Sequence, residues 1–149
     1  MAQCGQWRVL LVEDHAPMRR LIALWLRRSG FIVLEAGHAS QAVVVFRRPT
    51  RKVHLAIIDV MGTGGLDLAA YIGREHRAIP VLYISGYVDS VAVDAIGWRS
   101  PESLLLKPFH EHVLLARVRH LLAAQHSRPQ HRTVRPGEER SETPGVRFG

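Results

Sequence analysis

The sequence predicts an α/β fold in which a doubly wound, parallel sheet of five strands is covered by helices on both faces. Short, almost continuously apolar segments alternate five times with longer segments whose apolar residues recur at helical spacing. A strand that is apolar at nearly every position is buried on both sides, which is typical of parallel sheets. The strict alternation of the two kinds of segment indicates βα units in sequence.

The predicted strands are runs of branched and aromatic residues bounded by polar or glycine-containing segments. The third, VHLAIID, is the most apolar and stops on the carboxylate of Asp59. The five predicted strands cover residues 7–13, 31–36, 53–59, 80–85 and 102–107.

The predicted helices carry apolar residues three and four positions apart. The first has an apolar side and an arginine-rich side, and Gly30 favours its end because glycine accepts the left-handed conformation found there. The five predicted helices cover residues 16–30, 40–48, 66–76, 89–98 and 110–125. This order of elements indicates a flavodoxin-like (βα)5 fold with strand order 2-1-3-4-5, whose ligands bind at the carboxyl ends of the strands.

The chain of 149 residues is predicted to contain one folded domain. We assign residues 1–6 to an N-terminal extension, 7–124 to the domain, and 125–149 to a disordered tail. The tail is rich in Pro, Arg and Glu and has too few apolar side chains to order itself.

Composition excludes several classes of protein. The single cysteine, Cys4, cannot build a disulfide framework and favours a reducing compartment. No apolar run approaches the ~20 residues of a membrane span, and the first residues are too polar for a signal peptide, so a cytoplasmic location and no membrane contact are expected. The net charge of +7 is spread along the chain, so nucleic-acid binding is not predicted.

Polar side chains follow four of the predicted strands. Glu13 and Asp14 end the first, Asp59 the third, Ser85 the fourth and Lys107 the fifth. Each is explained singly as a helix cap, a turn residue or a surface charge. Together they would share one edge of a parallel sheet, where three carboxylates repel each other unless a hard cation such as Mg²⁺ binds them. Asp59 would then be the nucleophile that forms an acyl phosphate, with Lys107 and Ser85 contacting the phosphoryl group.

Four segments carry a resemblance to the receiver domain of bacterial two-component response regulators: VLLVEDHAPMRRLIALWLRRSGF, LAIIDVM, VLYISGY and LLLKPF. The resemblance extends over residues 7–124. It implies that Asp59 is the phosphoacceptor and also a Mg²⁺ ligand, that Asp14 binds Mg²⁺ directly and that Glu13 acts through water. The backbone carbonyl of Met61 is implied as a further ligand.

The same resemblance implies roles at the last two strand ends. Ser85 would bind the phosphoryl group, Lys107 would pair with its oxygens, and the Lys107–Pro108 peptide bond would be cis. Leu104 stands where the family has an aromatic switch residue, which leaves Tyr87 or Trp98 as a candidate for that role. The loop VMGTGGLDL after the phosphoacceptor is about two residues shorter than the family's usual loop and lacks its proline.

The implied function is that of a single-domain response regulator, most similar to receivers of hybrid sensor histidine kinases. It would accept a phosphoryl group from a sensor histidine kinase or phosphotransfer protein, and self-phosphorylation and self-dephosphorylation would be its only catalysis. Phosphorylation would switch a surface of the predicted helices 89–98 and 110–125 and the fifth strand, which would contact a downstream protein. The resemblance is also compatible with a homodimer.

Three alternatives stay open at this point. A pseudo-receiver would bind partners without phosphorylation, which only the altered loop favours. A haloacid-dehalogenase-type phosphatase needs an acid two residues after its nucleophile, where this chain has Met61. A flavodoxin needs a phosphate-binding loop after its first strand, where this chain has acids. His110 and His112 are predicted to lie on different faces of a helix, which argues against a shared metal site there.

Overall fold

A computed structural model describes residues 6–62, 64–86 and 101–126. They contain a parallel five-stranded sheet in the order β2-β1-β3-β4-β5, so the predicted fold class and strand order are confirmed. The strands are β1 Arg8–Val12, β2 Ile32–Ala36, β3 Leu55–Asp59, β4 Val81–Ser85 and β5 Leu104–Leu106. The helices are α1 Ala16–Arg28, α2 Ala39–Phe46, α3 Gly65–Glu75 and the C-terminal helix Glu111–His126, and a 3-10 turn, Pro101–Ser103, precedes β5.

Three predictions fall wholly or largely outside these residues. The predicted helix over 89–98, the aromatic candidates Tyr87 and Trp98, and the predicted tail beyond residue 126 are not among the described residues. Within the part of the chain that is described, no helix is long and apolar enough to cross a membrane.

The sheet separates two hydrophobic layers, and β3 contributes to both. All five residues of β3 are buried. Because successive side chains of a strand point to opposite faces, Ile57 packs with α1 and the C-terminal helix, while Ile58 packs with α2 and α3. Burying each such side chain contributes roughly 1.5–3 kcal/mol. The central strand is therefore held from both sides, and its last residue, Asp59, is held with it.

Helix α1 has well-defined ends. At its start, the His15 side chain accepts a hydrogen bond from the backbone N–H of Met18 (3.3 Å), so the N-cap is His15 and neither of the preceding acids. At its end, the N–H of Gly30 donates to Arg27 and the N–H of Phe31 donates to Leu26, with Gly30 at φ 91°. This pairing is a Schellman motif, and it confirms the role of Gly30 while ending the helix two residues earlier than predicted.

The boundaries of the fifth strand and of the C-terminal helix also differ from those predicted from the sequence. The predicted strand over 102–107 is a 3-10 turn followed by three strand residues. The C-terminal helix begins at Glu111, so His110 precedes it, and the rings of His110 and His112 stack with centroids 5.7 Å apart. The prediction that these two rings lie on different helix faces was wrong, because only one of them belongs to the helix.

Candidate functional site

The carboxyl ends of the strands bring the predicted polar side chains to one edge of the sheet. The N–H of Glu13, just beyond β1, donates to the carbonyl of Ala36 at the end of β2 (3.1 Å). The N–H of Lys107, just beyond β5, donates to the carbonyl of Ser85 at the end of β4 (2.8 Å). These bonds extend the sheet's pairing past the strand ends and thereby fix the backbone of Glu13 and Lys107 relative to the sheet.

Lys107 forms the centre of the site. Its Nζ lies 2.8 Å from Oε2 of Glu13 and 2.8 Å from Oδ2 of Asp59. The two carboxylates are only 1% and 7% exposed, so water screens their charges poorly. A single ammonium between two buried carboxylates leaves a net negative charge at this edge of the sheet.

Burial and pairing shift the pKa of two of these groups. Burial raises the pKa of Glu13, and the nearby charge of Asp59 adds to that rise, while the hydrogen bond from Lys107 opposes it. Burial alone would lower the pKa of Lys107, but its hydrogen bonds to Asp59 and Glu13 outweigh burial and raise it. Lys107 therefore stays charged near neutral pH, and the site favours further positive charge next to Glu13.

The two oxygens of Asp59 have different partners. Oδ1 accepts a hydrogen bond from the backbone N–H of Met61 (3.0 Å), which is the contact of a turn residue, and Oδ2 contacts Lys107. The Asp59 carboxylate thus closes a turn and pairs with Lys107 at the same time. The Met61 side chain is largely exposed.

Glu13, Asp14 and Asp59 form an acidic cluster in which one oxygen from each lies within 4.8 Å of the others. Asp14 is exposed, whereas the other two are buried. A methyl group added to Gly62 would lie 3.6 Å from Oδ1 of Asp14, so the loop after Asp59 passes beside this exposed acid. Carboxylate and backbone oxygens are the donors that Mg²⁺ prefers, and the cluster fits such an ion.

Glycines allow the short loop between β3 and α3 to close. Gly64 has a left-handed backbone, with φ 78°. Gly65, the first residue of α3, packs so closely that an added Cβ would lie 2.4 Å from the carbonyl oxygen of Asp59. Helix α3 can therefore begin directly beneath the strand end, which accounts for a loop shorter than the resemblance leads one to expect.

The remaining predicted site residues take simple positions. Ser85 is buried at the end of β4, one position beyond the residue paired with Asp59. Leu104 is half-buried at the start of β5. The Lys107–Pro108 peptide bond is cis, as the resemblance implies.

One residue of the site was not singled out from the sequence. Arg19 belongs to the arginine-rich side of α1, which reads as a solvent-facing surface. In the structure its Nη1 donates to the carbonyl of Glu13 (2.7 Å). The spacing of the two residues carries no pattern that predicts this contact, because it depends on how the loop between β1 and α1 turns.

Comparison with known protein families identifies the fold and its site together. The family model of the response regulator receiver domain matches residues 9–119, which is most of the chain and includes every charged residue of the cluster. The chain belongs to this family. As a receiver domain it is a signalling module of two-component systems, and receiver domains are phosphorylated by histidine kinases.

Curated relatives of this receiver domain are longer proteins. It is 32% identical over 134 residues to the alkaline phosphatase synthesis transcriptional regulatory protein SphR of Synechococcus elongatus, covering 82% of this chain and 51% of SphR. It is 28% identical over 154 residues to the DNA-binding response regulator MtrA of Mycobacterium tuberculosis, covering 92% of this chain and 66% of MtrA. The chain therefore spans about half of the first relative and about two thirds of the second.

Solved structures support the fold. A CheY-like response regulator receiver domain protein from Methanospirillum hungatei JF-1 superposes with a TM-score of 0.72 at 20% identity, over 82% of this chain and 98% of that one. A response regulator from Thermotoga maritima superposes with a TM-score of 0.66 at 26% identity, over 79% and 98% of the two chains.

Proposed function

We propose that this receiver domain accepts a phosphoryl group on Asp59, in a Mg²⁺-dependent reaction, from a histidine kinase or phosphotransfer protein. The observation that carries the proposal is the placement of Asp59 at a buried strand end, 2.8 Å from the ammonium of Lys107 and inside the acidic cluster. A carboxylate confined to a turn would not need a partly buried ammonium beside it, nor two further acids.

The transfer is a displacement at phosphorus. A carboxylate oxygen of Asp59 forms the new P–O bond, and the P–N bond to the kinase imidazole breaks. The electron pair of that bond stays on the ring nitrogen, which takes up a proton from solvent. Lys107 then pairs with the phosphoryl oxygens and the Ser85 hydroxyl donates a hydrogen bond to them, which stabilises the charge that the reaction brings into the site.

The acidic cluster supplies the metal site of this proposal. Asp14 and Asp59 would bind Mg²⁺ directly, Glu13 through a water molecule, and Met61 through its backbone carbonyl. When bound, the ion offsets the negative charge of the phosphoryl oxygens. Burial, and to a smaller extent the charge of Asp59, raises the pKa of Glu13, so a cation that offsets the negative charge of the cluster would favour the ionised form of this side chain.

The output surface is proposed to include β5 and the C-terminal helix. Lys107 directly follows β5, so a movement of its ammonium towards a phosphoryl group acts on that strand. Nη1 of Arg117 donates to the carbonyls of Pro101 (3.0 Å) and Leu104 (3.2 Å), which joins the start of β5 to the C-terminal helix. A downstream protein would read the joint displacement of these elements.

Intact-mass measurement after incubation with Mg²⁺ and acetyl phosphate tests the proposal. The wild-type chain is expected to gain one phosphoryl group that hydroxylamine removes, as it removes acyl phosphates. Asp59→Asn should gain none, because an amide keeps the shape of the side chain but is not a nucleophile. Asp67→Asn is the matched control, since Asp67 is an exposed carboxylate in the first turn of α3 and should leave the gain unchanged. A phosphoryl group retained by Asp59→Asn would overturn the assignment.

A further inference from the structure

We propose that Arg19 is a positioning residue for the metal site: it fixes the peptide that joins Glu13 to Asp14, and thereby sets the affinity for Mg²⁺. The inference rests on the metal site of the proposed function. It assigns a role in that site to a side chain that is not itself a ligand.

The backbone of Glu13 is held on both sides. Its N–H donates to the carbonyl of Ala36 (3.1 Å), and its carbonyl accepts from Nη1 of Arg19 (2.7 Å). That carbonyl belongs to the planar peptide group that carries the N–H of Asp14. Holding the carbonyl therefore sets the direction in which the chain enters Asp14.

Arg19 is itself held in place by the end of β2. Its Nε lies 3.7 Å from Oε1 of Glu35, and its side chain is only 22% exposed. A methyl group at Gly37 would lie 3.3 Å from Nη1, so the guanidinium packs closely over that glycine. A guanidinium confined in this way loses little entropy when it donates to the Glu13 carbonyl.

Asp14 depends on this contact more than the other two acids do. Glu13 and Asp59 are buried and share the ammonium of Lys107, so packing and charge both define their positions. Asp14 is exposed, and its backbone is its main constraint. Groups that orient metal ligands from behind typically change metal affinity by about 10–100-fold.

Arg27 provides a matched control, because it pairs with Glu35 as Arg19 does. Its Nη2 donates to Oε2 of Glu35 (2.9 Å) and lies 3.4 Å from the carbonyl of Val33, and neither contact belongs to the metal site. Neutralising either Arg19 or Arg27 removes one positive charge and one of the arginines that pair with Glu35. Only Arg19 contacts the backbone of Glu13.

The charge effect and the positioning effect predict opposite changes. Removing a positive charge near three carboxylates raises the attraction for Mg²⁺, so a purely electrostatic role predicts tighter binding in Arg19→Gln. A positioning role predicts weaker binding, because Asp14 would no longer be directed towards the other acids. The sign of the change in affinity therefore separates the two roles.

The test is a calorimetric Mg²⁺ titration of the full chain at constant ionic strength, with a thermal melt of each metal-free variant. Arg19→Gln should weaken binding at least about tenfold, whereas Arg27→Gln should bind as tightly as wild type or more tightly. The melting temperatures of the two variants should be similar. Arg19→Lys, which keeps the charge and a group that can donate to the Glu13 carbonyl, should recover part of the affinity.

The outcomes separate the two proposals. If the wild-type chain binds Mg²⁺ and Arg19→Gln binds it equally or more tightly, the role of Arg19 is overturned and the metal site is supported. An equal loss in Arg19→Gln and Arg27→Gln would also overturn it, because that loss would come from Glu35. A wild-type chain that binds no Mg²⁺ would overturn the metal site, and the role of Arg19 with it.

Discussion

At the scale of single residues, Asp59 combines two roles that sequence patterns treat as alternatives. One of its oxygens closes the turn at Met61 and the other meets Lys107. The turn contact orients the carboxylate, and the ammonium of Lys107 offsets part of the cost of burying it. A side chain with only one of these contacts would be either a turn residue or a buried charge. In Asp59 the hydrogen bond from Met61 orients the carboxylate so that its other oxygen faces Lys107.

His54 lies just before β3 and makes a pH-sensitive contact. Its Nδ1 accepts a hydrogen bond from the backbone N–H of Arg8 (2.9 Å), and its ring meets the edge of Trp7 with centroids 5.0 Å apart. Burial lowers the pKa of His54, and the charges of Lys52 and Arg8 lower it further. A protonated imidazole could not accept at Nδ1.

We therefore expect His54 to destabilise the domain in mild acid. Its folded pKa lies below the unfolded value of about 6.5, so its contribution to the free energy of unfolding is complete above pH ~6.5 and is lost as pH falls through that value towards the folded pKa. The free energy of unfolding should be measured with urea at about pH 8 and about pH 5.5. The difference between the two values should be smaller for His54→Gln than for wild type. His120→Gln, which changes an exposed histidine of the C-terminal helix, should keep the wild-type difference. Equal differences in wild type and His54→Gln would contradict this expectation.

At the scale of elements, the junction between β3 and α3 depends on the absence of a side chain. Gly65 lies against the carbonyls of Asp59 and Val60, where an added Cβ would approach to 2.4 Å and 3.1 Å. A helix that begins with any larger residue would have to start farther from the strand end. The short loop therefore requires glycine as the first residue of α3.

Two glycine substitutions in α3 should have opposite effects on stability. Gly65→Ala should lower the free energy of unfolding by about 1–3 kcal/mol, because backbone must move to admit the methyl group. It should also slow phosphorylation by acetyl phosphate, since the displaced backbone belongs to Asp59. Gly73→Ala should raise the free energy of unfolding by about 0.5–1 kcal/mol, because Gly73 lies inside the helix with open space around it. Chemical denaturation of both variants checks the signs, and a neutral Gly65→Ala would show that the junction is looser than its distances indicate.

At the scale of the whole molecule, one sheet joins two hydrophobic layers. Trp7 and Trp25 pack against the layer formed with α1 and the C-terminal helix, whereas Ile72 belongs to the layer under α2 and α3. Because β3 contributes side chains to both, neither layer can be lost without disturbing the other. The domain should therefore unfold as a single cooperative unit.

Substitutions in the two layers should shift one shared transition. The experiment uses a Trp98→Phe background, so that the fluorescence comes from Trp7 and Trp25, the other two of the three tryptophans. In that background, Leu114→Ala should lower the free energy of unfolding by about 2–5 kcal/mol and Ile72→Val by about 0.5–1.5 kcal/mol. Tryptophan fluorescence and far-UV circular dichroism should give the same urea midpoint for each variant, although Ile72 lies in the layer without Trp7 and Trp25. Leu24→Ala is the control, because Leu24 is 50% exposed whereas Leu114 is 0% exposed. Leu24→Ala should change the free energy of unfolding by no more than about 0.5 kcal/mol. Separate midpoints for the two signals would show that the layers unfold independently.

Local patterns in the sequence were sufficient to predict the class of the fold and the polar residues at the strand ends, and the flavodoxin-like fold that they indicate supplied the strand order. A strand buried on both faces, such as β3, has a continuous apolar run, and a helix buried on one face has apolar residues at helical spacing. Each element can therefore be recognised from its own residues. The meeting of Glu13, Asp59, Ser85 and Lys107 then follows from parallel topology. The division of the chain into extension, domain and tail stays a prediction from composition.

Tertiary structure alone decided how the atoms of the site are arranged. Lys107 lies 94 positions from Glu13 and 48 from Asp59, and no local pattern links residues so far apart. The cap at His15, the contact of Arg19 with Glu13 and the close packing of Gly65 depend on loop paths and on side-chain torsions. The sequence alone determined which side chains reach this edge of the sheet, because burial periodicity is local. Three-dimensional packing decided which atoms meet there, because distances of about 3 Å depend on every turn between the elements.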